Sequence, residues 1–276
     1  MAACDASKEP SQESAVKVQD SARGTLFIIG GGPRPPELMS ALGELVDDEA
    51  TVAVLTLASS EPDSAWWYIN RDLQEAGLRS TWHFDVRNEI SLQMVDSLRN
   101  SGLLFLSGGD QSAFLRRADT LNIIPAIHKA YQSGGVIAGT SAGAALMSEV
   151  MISGDQHFSE AYEPTYSRLM AQNAVYETGL GFLKNTIVDQ HFVERSRYNR
   201  MLTALHDHPL MTVLGIGEST AAIVRGNEVQ VTGAGQVVVA SNRGAALHNA
   251  HGRIKLENVN FSVLVNGDRF LIEEKP

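Results

Sequence analysis

Ser141 lies in Gly139-Thr140-Ser141-Ala142-Gly143, a Gly-x-Ser-x-Gly pentapeptide that follows the apolar run Val136-Ile137-Ala138 and precedes the helix formers Ala144 and Ala145. A serine on a tight strand-to-helix turn has its hydroxyl lifted clear of the sheet. Glycines flank it because side chains would collide at so sharp a bend. The next backbone N–H, that of Ala142, can then serve as an oxyanion donor, with the positive end of the new helix directed at the same spot. This chemistry is nucleophilic attack on an acyl carbon. An ordinary glycine-rich turn can carry the same pentapeptide, so the reading depends on partners elsewhere in the chain.

A serine needs a base, and eight histidines compete for that role. His191 stands out because it directly follows Thr186-Ile187-Val188-Asp189-Gln190, at the carboxyl end of a predicted strand, where it can face Ser141. His206 and His208 fall at a helix end, His248 and His251 in a polar loop, and His83 at the close of a predicted edge strand. Beyond His191, the stretch Phe192-Val193-Glu194-Arg195-Ser196-Arg197-Tyr198-Asn199-Arg200 begins a predicted helix from Glu194 to Leu205. Arg197 and Arg200, three residues apart, share one of its faces. Two guanidinium groups near a helix N-terminus form a cradle for a carboxylate, whereas the bland reading is a solvated basic face.

The elements that must position these residues follow from hydrophobic periodicity. Thr25 to Ile29, Thr51 to Leu57, Gly102 to Leu106 and Val136 to Ala138 are short apolar runs closed by Gly, Ser or Pro, and read as buried strands. Between them, Glu37 to Val46, Ala65 to Ala76, Ser91 to Arg99 and Phe114 to Tyr131 carry helical spacing, the last broken near Pro125. The alternation predicts an α/β protein: a doubly wound, mostly parallel sheet with helices on both faces, of the class I glutamine amidotransferase-like or flavodoxin-like kind. Ligands bind such sheets at the carboxyl ends of the strands. The loops that qualify are Gly30-Gly31-Gly32, Ser107-Gly108-Gly109-Asp110-Gln111 and the turn at Ser141.

After that turn, Ser153 to Asn173 is polar and reads as a long loop with a short helix, containing Asp155, Glu160 and Glu163. Thr186 to Val188 and Met211 to Leu214 read as further strands. The end of the chain is β-rich, with Ala221 to Val224, Val229 to Thr232 and Val237 to Ala240, and with an Asn266-Gly267 signal for a two-residue hairpin turn. No repeat or linker separates this end, so residues 23–276 read as a single domain with a β-rich C-terminal extension. Residues 1–22 are polar and read as a flexible tail.

Composition sets outer limits. The 276 residues, 43% hydrophobic and 20% charged, are those of an ordinary globular protein. A net charge of -10 argues against nucleic acid as a partner. The single cysteine, Cys4, excludes an intramolecular disulfide and a Cys-rich metal site. Ala2-Ala3-Cys4-Asp5 resembles the region around a bacterial lipoprotein cleavage site, which gives an expectation of export, with a cytoplasmic location as the alternative.

Taken in order, Ser107-Gly108-Gly109-Asp110-Gln111, Gly139-Thr140-Ser141-Ala142-Gly143-Ala144, Asp189-Gln190-His191-Phe192 and then Arg195, Arg197 and Arg200 resemble the cyanophycinases of serine peptidase family S51. The resemblance runs from about Gly24 to the β-rich end. It implies a peptidase acting on cyanophycin, a poly-aspartate backbone with arginine attached to each β-carboxylate, and releasing β-Asp-Arg dipeptides. Ser141 is then the nucleophile and His191 the base, and the N–H groups of Gly109 and Ala142 form the oxyanion hole. Gln111, Asp189, Gln190, Arg195, Arg197 and Arg200 bind the dipeptide unit, the arginines on its free carboxylate. The resemblance requires no metal or organic cofactor and suggests a homodimer.

The acid that orients His191 has two candidates. Glu218, in Gly215-Ile216-Gly217-Glu218-Ser219, follows a predicted strand and matches a glutamate of the family pattern; Asp155 would give the serine, acid, histidine order of α/β-hydrolases. The strand-end setting favours Glu218. Other readings of the same residues are an aspartyl dipeptidase, a general acyl hydrolase or esterase, and a non-catalytic binding module. Gly30-Gly31-Gly32 suggests a phosphate loop, but Pro33, Pro35 and Pro36 and the absent Gly-x-Gly-x-x-Gly spacing speak against one.

Overall fold

The computed structural model describes residues 24–87, 89–159 and 165–273. The expected tail with Cys4, and Glu160 and Glu163, lie outside the described residues. The first half of the chain alternates strand and helix as its periodicity predicts: β1 (Thr25–Ile29), α1 (Pro36–Gly43), β2 (Val52–Leu55), α2 (Pro62–Glu75), β3 (Thr81–Phe84), α3 (Leu92–Arg99), β4 (Leu103–Leu106), α4 (Gln111–Thr120), α5 (Ile124–Gln132) and β5 (Val136–Thr140). Pro125 sits in the first turn of α5, where its missing N–H costs nothing, and so starts a new helix after α4.

These five strands are parallel, in the order β1-β5-β4-β2-β3. Their apolar runs are continuous because both faces are covered. Leu26, Ile28, Leu104, Leu106 and Ile137 face one core with α4 and α5, while Phe27, Ile29, Leu103, Phe105 and Val136 face another with α1 and α2. Packing of helices on both faces is what a parallel sheet needs.

The second half departs from simple alternation. α6 (Ala142–Ala145) is a single turn after β5, and β6 (Val150–Gln156) pairs with β7 (Ala174–Thr178). Residues 153–156, expected in a loop, therefore extend a strand, and no helix forms among the described residues between β6 and β7. β8 (Thr186–Asp189), α7 (Tyr198–Asp207) and β9 (Thr212–Ile216) follow. α7 starts four residues later than the periodicity predicts. The stretch before it is a series of turns in which His191 and Ser196 take positive φ and Arg197 N–H reaches back to the Phe192 carbonyl.

β10 (Thr220–Arg225) returns to the main sheet antiparallel to β1, followed outward by β11 (Glu228–Gly233) and finally β16 (Arg269–Leu271). β8 and β9 belong instead to a second sheet, completed by β12 (Val237–Asn242) and β15 (Val259–Leu264). A small hairpin of β13 (Ala246–His248) and β14 (Ile254–Leu256) completes the described elements.

Asn266-Gly267 is a tight turn, closed by Asp268 N–H donating to the Val265 carbonyl at 3.0 Å, but not the hairpin turn its sequence suggests. The strands on either side of it, β15 and β16, belong to different sheets. Only Gly267 has positive φ, so the turn lacks the doubly left-handed backbone that matches hairpin twist.

Candidate active site

Ser141 sits between β5 and α6 with φ 54° and ψ -111°, a backbone state outside the comfortable regions for a residue with a side chain. The flanking glycines allow it by close approach. A Cβ on Gly139 would collide with the Gly143 carbonyl, and one on Gly143 would collide with that of Leu106. The hydroxyl so presented lies 2.8 Å from Nε2 of His191. On the other side of the ring, Nδ1 lies 2.5 Å from Oε1 of Glu218. Asp155, the rival acid, is exposed on β6, and the Tyr166 hydroxyl donates to its carbonyl.

The three segments converge on the end of β1. Ile29, Gly30 and Gly31 offer successive carbonyls, which accept the backbone N–H of Ser141 at 3.1 Å, of His191 at 2.7 Å and of Ser219 at 2.9 Å. The glycine loop that resembled a phosphate cradle is therefore a rail against which serine, histidine and acid are registered. Its glycines are needed for room. Gly31, at φ 112°, carries no Cβ where the His191 imidazole packs, and a Cβ on Gly32 would lie 2.6 Å from Glu218 Oε2. Glu194 adds a support that sequence reasoning missed, since its Oε2 accepts the Glu218 backbone N–H at 3.0 Å. The available signal was the glycine triplet at a strand end with no phosphate spacing.

Burial holds the His191 imidazole below the usual histidine value of 6.5. The Glu218 hydrogen bond works in the opposite direction, and the positive charges of Arg195 and Arg197 add to the lowering. A neutral imidazole with Nδ1–H held by a carboxylate leaves Nε2 free to accept the serine proton. Ala142 directly follows Ser141 after β5, and Gly109 lies in the loop after β4, next to Gly108, where a Cβ would lie 3.4 Å from the Ser141 side chain. Neither backbone N–H donates to another described residue. Gly109 can approach because it is a glycine: a Cβ there would run into the Ala58 carbonyl.

Asp189, Gln190, Arg197 and Arg200 form a buried network, while Arg195 is only half-buried. Asp189, at the end of β8, accepts from Arg200 Nε at 2.8 Å, again from a terminal guanidinium nitrogen of Arg200, and from Arg197 Nη1 at 3.4 Å. Arg197 Nη1 also donates to the Gln190 carbonyl at 2.6 Å and to Gln190 Oε1. Arg197 caps α7 and Arg200 occupies its first turn, so they share a face as expected, but both are 2% exposed and not solvated. Gln111, the first residue of α4, donates Nε2 to the carbonyls of Ile152 and Ser153 at 2.9 and 2.6 Å, tying β6 beside the site. Among the described residues no cluster of three or more His, Cys, Asp or Glu side chains could hold a metal ion. No described helix is long and apolar enough to cross a membrane.

A cleft of about 570 Å³ opens over Ser141 and His191. Its floor is the strand-end loops at Gly32, Ser107, Gly108 and Thr140, and its far wall is Arg34 with the α2 residues Tyr68, Arg71 and Asp72. That volume suits a small peptide segment.

The sequence profile of Peptidase family S51 matches residues 26–232, from β1 through β11, and so takes in Ser141, His191 and Glu218. The chain belongs to peptidase family S51. As an S51 peptidase it is a serine-type hydrolase. It is similar to the cyanophycinase of Geminocystis herdmanii, at 31% identity over 90% of this chain and 93% of that protein. It is also similar to those of Synechococcus elongatus, at 30% over 89% and 78%, and of Nostoc sp., at 28% over 94% and 89%. Among solved structures, a peptidase from an acI-B1 Actinobacterium shares the fold with a TM-score of 0.64 at 22% identity, over 93% of this chain and all of that one. A putative peptidase E from Listeria monocytogenes has a TM-score of 0.56 at 17% identity, over 76% and 98%.

Proposed function

We propose that this S51 peptidase degrades cyanophycin as an exopeptidase, releasing β-Asp-Arg dipeptides through an acyl-enzyme. The observation that carries the reading is the Ser141–His191–Glu218 chain of contacts, at 2.8 and 2.5 Å, in a protein about 30% identical to cyanophycinases over nine tenths of its length. Ser141 Oγ attacks the backbone carbonyl and its proton passes to His191 Nε2. The N–H groups of Gly109 and Ala142 take the oxyanion, a pair of donors of which each contributes about 3 kcal/mol. The tetrahedral intermediate collapses as His191 returns the proton to the leaving amine. Water, deprotonated by His191, then releases the acyl group from Ser141 by the same route.

Gln111, Asp189, Gln190, Arg195, Arg197 and Arg200 form the wall for the dipeptide unit, the arginines meeting its free carboxylate. The burial of Arg197 and Arg200 supports this role, because a carboxylate reaching them is stripped of water and its charge-assisted bonds gain strength. Homodimerisation is part of the proposal, supported by Phe261 and Val263, half-exposed on one face of the edge strand β15. The test is incubation of the protein and of its Ser141→Ala variant with insoluble cyanophycin, following soluble β-Asp-Arg by mass spectrometry. Release by the unaltered protein alone supports the reading. No release from folded protein overturns the polymer assignment and turns attention to short aspartyl peptides.

A further inference from the structure

The far wall of the cleft is built from α2 and has no part in the dipeptide wall described above. Trp67, Tyr68 and Arg71 lie on one face of α2, three and four residues apart, beside the buried carboxylate of Asp72. Trp67 and Tyr68 meet edge to face with centroids 4.8 Å apart, and both are more than half exposed. The Arg71 guanidinium lies 5.3 Å from the Trp67 ring centre and 5.5 Å from that of Tyr68. Asp72 fixes its edge, accepting from Arg71 Nη2 at 2.8 Å and from Arg34 Nη2 at 2.6 Å. Arg34 Nε is buried with no hydrogen-bond partner among the described residues.

This wall already holds one guanidinium against two aromatic faces; Tyr68 and Arg71 line the same cleft as Ser141, and Trp67 flanks Tyr68 outside that lining, with both aromatic residues more than half exposed. Its two arginines are matched by two carboxylates, Asp72 and Glu75, the latter 3.9 Å from Arg71 Nε, so the wall is electrically balanced and suits a ligand that carries both signs of charge. A ligand suited to it carries a guanidinium to lie on the rings and an anion to meet Arg71. Resting on the proposed activity, we infer that Tyr68, Trp67 and Arg71 form a second subsite, which holds the arginyl group of the neighbouring unit of the polymer. The free carboxylate of that group meets Arg71 and its guanidinium lies on Tyr68 and Trp67. The acidity of the protein as a whole, at -10, favours approach of the cationic end. Cation–π attraction at a half-exposed ring contributes about 2- to 5-fold in affinity.

The experiment uses the Ser141→Ala protein, a synthetic trimer of β-Asp-Arg units, and the same trimer with citrulline replacing arginine. Citrulline keeps the shape and the carboxylate but carries no positive charge. Binding is read by calorimetry, with and without the paired substitutions Tyr68→Leu and Trp67→Leu, which sit on the surface and keep apolar volume. The expected result is a preference for arginine over citrulline that falls by about 5-fold in the paired variant. Arg71→Gln should weaken both trimers alike. An unchanged preference in the paired variant overturns the subsite, as does failure of either trimer to bind. If the unaltered protein releases no dipeptide while the preference still falls, the subsite stands and the peptidase assignment fails; release with unchanged preference removes the subsite alone.

Discussion

The backbone N–H of His191 donates to the carbonyl of Gly30 at 2.7 Å, and Gly31 next to it carries no side chain because the His191 ring fills that space. Gly31→Ala therefore pushes on the proposed base from a position that takes no part in chemistry. The expected outcome is a fall in kcat of about 100-fold, the usual consequence of a displacement near 1 Å. The positive φ adds a stability cost of about 1–3 kcal/mol. Gly77→Ala is the control, since Gly77 also has positive φ but open space around it. It should lower the melting temperature and leave kcat unchanged.

Glu218→Gln keeps the shape beside His191 Nδ1 and removes the charge that orients the ring. With far-ultraviolet circular dichroism unchanged, kcat should fall about 10⁴-fold. A nearly normal rate would transfer the acid role to Asp155.

The pH profile tests the electrostatics of the same ring. His191 must be neutral to accept a proton, so kcat/KM rises with pH through its pKa. Burial places that pKa below 6.5, so the plateau should be reached at lower pH than for an ordinary histidine. Arg195 lowers it and the Glu218 hydrogen bond raises it. Arg195→Gln should accordingly move the acid limb to higher pH, and Glu218→Gln should move the residual activity to lower pH. Shifts of the same sign in both variants would refute this account.

Asp189 joins Arg197 and Arg200 where none of the three is more than 2% exposed. Asp189→Asn removes a buried carboxylate charge that two buried guanidinium groups share, which costs about 3–5 kcal/mol. Urea unfolding of the variant against the parent reads this directly. Equal midpoints would mean that the network serves substrate alone.

Much of the first half was legible because its strands are apolar on both faces and its helices carry clear amphipathic spacing. β1 begins and ends where the run Thr25 to Ile29 does. The serine turn was legible because its glycines are demanded by close backbone approach. The late start of α7 was not, since Glu194 and Arg195 have good helical propensity and only tertiary contacts, Phe192 packed on Gly215 among them, hold the turns open. Nor could the role of Gly30-Gly31-Gly32 be read locally, because the carbonyls from Ile29 to Gly31 are met by the N–H groups of residues 141, 191 and 219. The separation of β8 and β9 into a second sheet has the same origin in long-range pairing. Short strands carry no mark of the sheet they will join.

The placement of β10 sets a schedule for synthesis. β1 is the first of the described strands to be synthesised, yet its second neighbour in the sheet is made almost two hundred residues later. Glu218 and Ser219 sit just ahead of that late strand. A growing chain can fold the nucleophile turn early, but one flank of β1 stays open and the histidine lacks its carboxylate until β10 docks. Under the proposed mechanism, hydrolytic power arrives only after β10 has been made and has docked on β1.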